Sequence, residues 1–324
     1  MGSVVRESAR YVCSQSRHVK IVGEGISRVV AGLTEEELRK LSSPASFDAD
    51  LHFVDTSSKA AEALTVQYLL VVDALNFCFW PDPELEYAQL SLGIKRALQQ
   101  DPGVLHASRL AVAQGADVRA LLGWKRDLPQ QEERARLLRE VGQGLLRHFD
   151  GAAANLVAAA GGSAMSLVEL LAAHFPGFRD HAIYKGRQVF FYKRAQIFVG
   201  DVYGALQGEG LGAFHDIHEL TMFADYRVPV VLRVMGILRF SAELDSKIGA
   251  GQELPPGGEE ELEIRAATIS AVEDLKEALS NSGRCQAAGA AVPITIQLDW
   301  FLWEVGERER EAHPPAHHTL TIYY

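Results

Sequence analysis

The sequence predicts a mainly α fold with one small β-hairpin. Apolar residues recur at intervals of three and four in most segments. Only 182–192 reads as paired strands, and no alternation of strands with helices announces a parallel sheet. The 324 residues, 48% hydrophobic and 23% charged, have the balance of a folded chain with ample length for a core. That length fits one domain over 1–324, or two closely packed helical lobes.

The elements follow in order. Thr34-Glu-Glu-Glu37 is a capping box opening a short polar helix. A strongly apolar helix over 59–74 starts at Ser57 or Ser58 and turns Leu64, Tyr68, Leu69, Val72 and Leu75 inward. Polar only at its ends, it is expected at the centre of the fold. Phe77, Phe79 and Trp80 follow its end, and Pro81-Asp82-Pro83 stops it. Helical spacing returns at about 91–100, 104–113, 116–123 and 129–149, the last carrying Leu137, Leu138, Val141 and Leu145. A Ser-started helix over 163–174 ends at His174-Phe-Pro176. The hairpin turns at Tyr184-Lys-Gly-Arg187, and 193–206 is helical again. Pro229 suits a helix's first turn, and Val228, Val231, Leu232, Met235 and Leu238 behind it form an apolar face. Residues 249–260 make the clearest loop, and 269–279 and 294–305 read as closing helices.

Composition narrows the function. The net charge is −10 and no run of five Lys or Arg occurs, whereas a grip on a nucleic-acid backbone calls for a basic stripe. A small-molecule substrate is expected, with no stable nucleic-acid complex. Three separated cysteines, Cys13, Cys78 and Cys285, fit a reducing compartment and exclude a cysteine zinc site. No apolar run approaches a membrane span and no leader is recognisable, so the expected location is the cytosol or nucleus, with no membrane partner. His215-Asp-Ile-His218-Glu219 is not a His-Glu-x-x-His pattern, and Gly208-Glu-Gly-Leu-Gly212 lacks the Lys of a phosphate loop. Neither a metal nor a cofactor is expected.

Residues 221–227, Thr-Met-Phe-Ala-Asp-Tyr-Arg, place Asp225 where a helix begins. There the free N–H groups and the dipole favour its charged form. Such an acid can merely cap the helix or can face a developing cation, and Phe223 leaves the same segment. Asp299 lies in Ile296-Gln-Leu-Asp-Trp-Phe-Leu-Trp303, where a lone buried carboxylate needs a partner; an ion pair and a ligand contact are both open. Lys193 and Arg194 follow the aromatic Phe190-Phe-Tyr192. They read either as a solvated helix start or as a phosphate contact.

Several blocks resemble one family. Met222-Phe-Ala-Asp-Tyr-Arg-Val-Pro229 is similar to a motif of the queuosine salvage proteins, the queuosine 5′-phosphate N-glycosylases. So are Asp73-Ala-Leu-Asn-Phe-Cys-Phe-Trp80, Phe191-Tyr-Lys-Arg-Ala-Gln196, Leu298-Asp-Trp-Phe-Leu-Trp303 and Ile322-Tyr-Tyr324. These blocks keep the family's order from about His52 to the end of the chain. Asp225-x-x-Val228-x-x-Val231-x-x-x-x-Gly236 also resembles the helix-hairpin-helix DNA glycosylases, which implies a DNA-glycosylase-like helical fold. No lysine occupies their lyase position. The resemblance implies catalysis by Asp225 and a substrate site of His52, Phe223, Asp225, Asp299, Trp300 and Glu304, with Lys193 and Arg194 at the phosphate or the chemistry. The family often has Asp at position 304, and more often Gln than Val at position 230.

The implied activity is hydrolysis of the N-glycosidic bond of queuosine 5′-phosphate, releasing queuine for tRNA modification. A nucleic-acid base glycosylase and a non-catalytic queuine-binding protein are the alternatives.

Overall fold

The computed structural model describes residues 1–43 and 47–324. It is mainly α-helical, with two antiparallel strand pairs among the described residues. The chain divides into two compact units. The first comprises Met1–Ser46, His181–Lys193 and His218–Leu320, the second Phe47–Asp180, Arg194–Ile217 and Thr321–Tyr324.

In the second unit the helix Lys59–Leu75 begins where Ser58 accepts a hydrogen bond from the Ala61 N–H. Every residue from Thr65 to Leu75 is buried, as expected of a helix polar only at its ends. Helices Tyr87–Gln100, Gln131–His148 and Ala153–Ala159 pack around it. Its C-terminal carbonyls, which no helical N–H can reach, are met by two buried arginines. Arg134 donates to the carbonyls of Leu75 (2.7 Å), Phe77 (2.6 Å), Cys78 (2.7 Å) and Pro129 (2.9 Å). Arg194 donates to those of Ala74 (2.6 Å) and Gly177.

In the first unit the helix Glu259–Ser282 is the axis, and Gly2–Gln15, Gly23–Gly32 and Thr295–Arg308 pack against it. It begins ten residues before the expected 269, inside the last part of the expected loop. Its first half carries Glu261, Glu263 and Arg265 inward, so no simple apolar stripe announced it. Glu263 is satisfied by Ser16 Oγ (2.6 Å), the Arg17 and His18 N–H groups (3.0 and 2.6 Å) and Tyr184 O–H (2.8 Å).

The hairpin forms as expected, with strands His181–Tyr184 and Arg187–Phe190 about the turn residues Lys185 and Gly186. The capping box of Thr34 with Glu37 opens the helix Glu35–Leu41. Two expectations fail. The helix after Asp225 spans only Val228–Val234; Gly236, at φ 71°, reverses the chain. Leu238 therefore lies on a strand, Leu238–Phe240, paired with Val19–Ile21. The expected 104–113 helix shrinks to Ala107–Leu110, between turns. The helices Gly2–Gln15, Gly23–Gly32 and Ala242–Gly249 were not anticipated from the spacing.

Candidate active site

In the first unit, a short strap over 221–227 leads into the helix Val228–Val234, with Pro229 in its first turn. Asp225 Oδ1 accepts from the N–H groups of Arg227 (3.0 Å) and Val228 (2.9 Å), which have no partner within the helix. Two residues earlier, the Phe223 N–H donates to Asp299 Oδ1 at 2.9 Å. One strap thus carries one carboxylate and anchors the other.

The helix Thr295–Arg308 delivers Asp299 and packs on Val228–Val234. Gly306 permits the approach: a β-carbon there would stand 2.8 Å from Arg227 Cγ and 2.9 Å from Val231 Cγ2. Arg227 closes the contact through an ion pair with Glu307, Nε to Oε1 2.6 Å.

The two acids differ in surroundings. Burial raises the Asp225 carboxyl, while the Lys193 charge and the two N–H donors pull it back down. Asp299 is pushed well above the usual carboxylate range, first by burial and then by the charge of Asp225, with the Phe223 N–H and Lys193 opposing. Two such carboxylates do not both ionise in a desolvated place. Asp225 has more donors and is the better placed of the two to carry the charge, whereas Asp299 is driven further toward its protonated form. Asp225 also retains partial exposure whereas Asp299 is 5% exposed, so a ligand can reach the charged member.

The remaining expected residues fall in several places. Phe223 is buried beside its acid, Trp300 is half-buried one residue after Asp299, and Lys193 is buried at the start of the helix Lys193–Ala205. Lys193 and Arg194 are thus not a solvated helix start. Arg194 caps the helix Lys59–Leu75, and its guanidinium lies over the Phe77 and Phe178 rings at 5.3 and 4.9 Å. Both of its Nη groups are engaged by backbone carbonyls, a structural arrangement rather than the expected phosphate grip. Glu304 lies apart from Asp299 on the same helix. Five residues past Asp299 is about 140° around a helix, and there it faces solvent in an ion pair with Lys40 at 2.7 Å.

His52 belongs to the second unit and is buried. Its Nδ1 lies 2.8 Å from the Asp48 carbonyl and its Nε2 2.7 Å from Tyr87 Oη. A carbonyl only accepts, so Nδ1 carries the hydrogen and Nε2 accepts from Tyr87. Burial pushes the pKa down to about 4, leaving the ring neutral. The rings of Tyr68 and Tyr87 lie 6.3 and 5.8 Å from it. Tyr68 is buried and Tyr87 half-buried, and the charges of the buried Asp73 and Asp201 help raise both phenols. The available signal for these two acids was a carboxylate inside an apolar helical run, the same signal that marked Asp299. Among the described residues no group of three His, Cys, Asp or Glu side chains could hold a metal ion.

Two outcomes are expected. Arg194→Ala strands buried carbonyls, and urea unfolding should show a loss of about 1–3 kcal/mol. Asp299→Asn should flatten the pH dependence of stability. Above its ordinary value of 3.8 the unfolded Asp299 releases a proton that the folded one keeps, so this residue makes the fold less stable as pH rises. Asn still accepts from Phe223 but binds no proton. Melting temperatures from about pH 5 to about pH 8 should move in the variant's favour relative to the parent as pH rises. Parallel curves would place an ordinary carboxylate at 299.

Comparison with known proteins bears on this geometry. A family model described as "Queuosine salvage protein" matches residues 56–324. A "Queuosine 5'-phosphate N-glycosylase/hydrolase" of Dictyostelium discoideum is 43% identical over 326 residues, covering 99% of each chain. A protein of the same description from Sphaerobacter thermophilus is 41% identical, over 99% of this chain and 97% of its own. Another from Mus musculus is 35% identical over 98% of each. With that family match and these near-full-length identities, the chain belongs to the queuosine salvage protein family.

Proposed function

We propose that this chain is an N-glycosidase that hydrolyses queuosine 5′-phosphate and releases queuine. The observation that carries the reading is the unequal carboxylate pair: half-buried Asp225 with two backbone N–H donors, and buried Asp299 with one, pushed further above the usual carboxylate range by the charge of Asp225. Breaking the C1′–N bond builds oxocarbenium character on the sugar. Asp225 answers that charge and aligns the water whose hydroxyl ends on C1′. The departing base is a 7-deazapurine, with no N7 to accept a proton. Help to the leaving group must reach another polar atom of the base, and the Asp299 carboxylic acid is a donor suited to it. The water's second proton restores the pair. Lys193 keeps the shared negative charge on Asp225.

Phe223 and the half-buried Trp300 supply the apolar and aromatic walls that a flat base needs. A chain of net charge −10 favours a free nucleotide over a polymer held by its phosphates. No helix among the described residues is long and apolar enough to cross a membrane, and we assign the activity to the cytosol or nucleus, where nucleotides from tRNA turnover arise.

Purified protein should release queuine from queuosine 5′-phosphate, with less from the nucleoside and none from intact tRNA. Release from tRNA or duplex DNA would make it a nucleic-acid glycosylase; queuine binding without turnover would make it a carrier. Asp225→Asn should lower kcat by ~10²-fold or more. Asp299→Asn should lower it by ~10²-fold and remove the alkaline limb of the rate profile, because the amide no longer titrates. Near-parental turnover in the first variant would remove Asp225 from the chemistry; an intact alkaline limb in the second would remove the acid role of Asp299.

A further inference from the structure

A buried guanidinium on the axial helix of the first unit lies against the stretch of chain that leads into Lys193. Arg265 is 2% exposed on Glu259–Ser282 and lies 4.1 Å over the ring of Phe191. Glu261, one turn earlier and equally buried, stands 3.8 Å from its Nε. His317 beside it is neutral, its pKa pushed down to about 3 by burial and by the Arg265 charge.

The contact leads along the chain from Phe191. Tyr192 takes φ 51°, a left-handed conformation that bulky residues avoid. Its ring stacks on Phe190 at 5.6 Å and 20°, and the Phe190 N–H is tied to Ser8 Oγ at 3.0 Å. Phe191, 1% exposed, points to the other side, under Arg265. The rings of Phe190 and Phe191, just before the turn at Tyr192, are thus each held by a neighbour. Lys193 is the next residue, and its charge acts on both Asp225 and Asp299.

We propose that Arg265 is a positioning residue: by clamping Phe191 it imposes the left-handed turn at Tyr192 and thereby sets Lys193 against the carboxylate pair. This rests on the pair being the reactive centre, as proposed above.

The test compares the parent with Arg265→Met, Phe191→Leu, Lys193→Ala and the Arg265→Met/Lys193→Ala double variant. Carbonyl-labelled aspartate, with the Asp225 signal assigned from Asp225→Asn, reports that carboxyl by NMR without any turnover. Arg265→Met should raise the Asp225 midpoint by about half a pH unit or more. Lys193→Ala should raise it at least as far, and the double variant no further than Lys193→Ala alone. In turnover of queuosine 5′-phosphate, kcat should fall ~10-fold with little change in KM. An unmoved midpoint in Arg265→Met, or a double variant whose shifts simply add, overturns the clamp. Should Arg265→Met fail to fold, Phe191→Leu makes the same measurement with the cation left in place, and an unmoved midpoint there is equally fatal. Absence of turnover by the parent would defeat the proposed function instead, and the NMR titration would still decide the clamp.

Discussion

Two carboxylates in one desolvated place cannot both be charged, and the first unit is organised around which of them is. Asp225 receives two backbone N–H groups at the start of a helix and the field of a buried lysine; Asp299 receives one N–H and its neighbour's negative charge. Neither side chain sets its own state. The difference comes from the strap between Phe223 and Val228, which gives its donors unequally. Its approach to the helix Thr295–Arg308 depends on a glycine where any β-carbon would collide. Backbone geometry thus becomes proton placement, and on the proposed reading proton placement becomes chemistry.

The buried arginines show the opposite solution to the same cost. Arg134 and Arg194 direct their donors to carbonyls at the end of the central helix of the second unit and rest against aromatic rings. A guanidinium has a flat fork of donors that can satisfy several such orphan acceptors at once, and it cannot lose its charge to escape burial. It is therefore suited to bracing. A carboxyl can shed its charge, and burial moves its titration into a useful range. The chain puts permanent cations where it needs rigidity and acids where a proton has to move.

This contrast explains what the sequence made legible. Asp225 and Asp299 were visible because each broke a local rule, one as an acid at a helix start and one as an acid within an apolar run. Asp73, which opens one of the family blocks, and Asp201 break the same rule, and only the fold shows that both act on Tyr68 and Tyr87. Glu304 came from the resemblance alone, and five residues turn a helical side chain well away from Asp299, which only the partner it finds in Lys40 makes visible. Lys193 and Arg194 are adjacent and chemically alike, yet they have separate fates. Side-chain direction depends on what packs against each, and a single sequence does not encode that locally. The same limit hid the Val19–Ile21 and Leu238–Phe240 pairing. Three-residue strands brought together from more than 200 positions apart leave no periodic trace. The long helix Glu259–Ser282 escaped for a related reason, since its inward Glu263 is satisfied by distant partners, Ser16 and Tyr184.

The acidic balance of the chain follows the same physics as the site. An enzyme that lowers the cost of an oxocarbenium ion needs negative charge near the sugar, yet its proposed substrate carries a negative phosphate. If the charge at the centre were spread over two ionised acids, phosphate and site would repel strongly at close range. Holding one acid neutral halves that repulsion while keeping a proton donor in place, and the buried Lys193 offsets much of the remainder. A nucleotide can approach such a centre with its sugar beside Asp225. A polymer, with phosphates on both sides of every sugar, gains no such compensation from a chain of net charge −10. On the proposed reading, the proton held by Asp299 serves selection as well as bond cleavage.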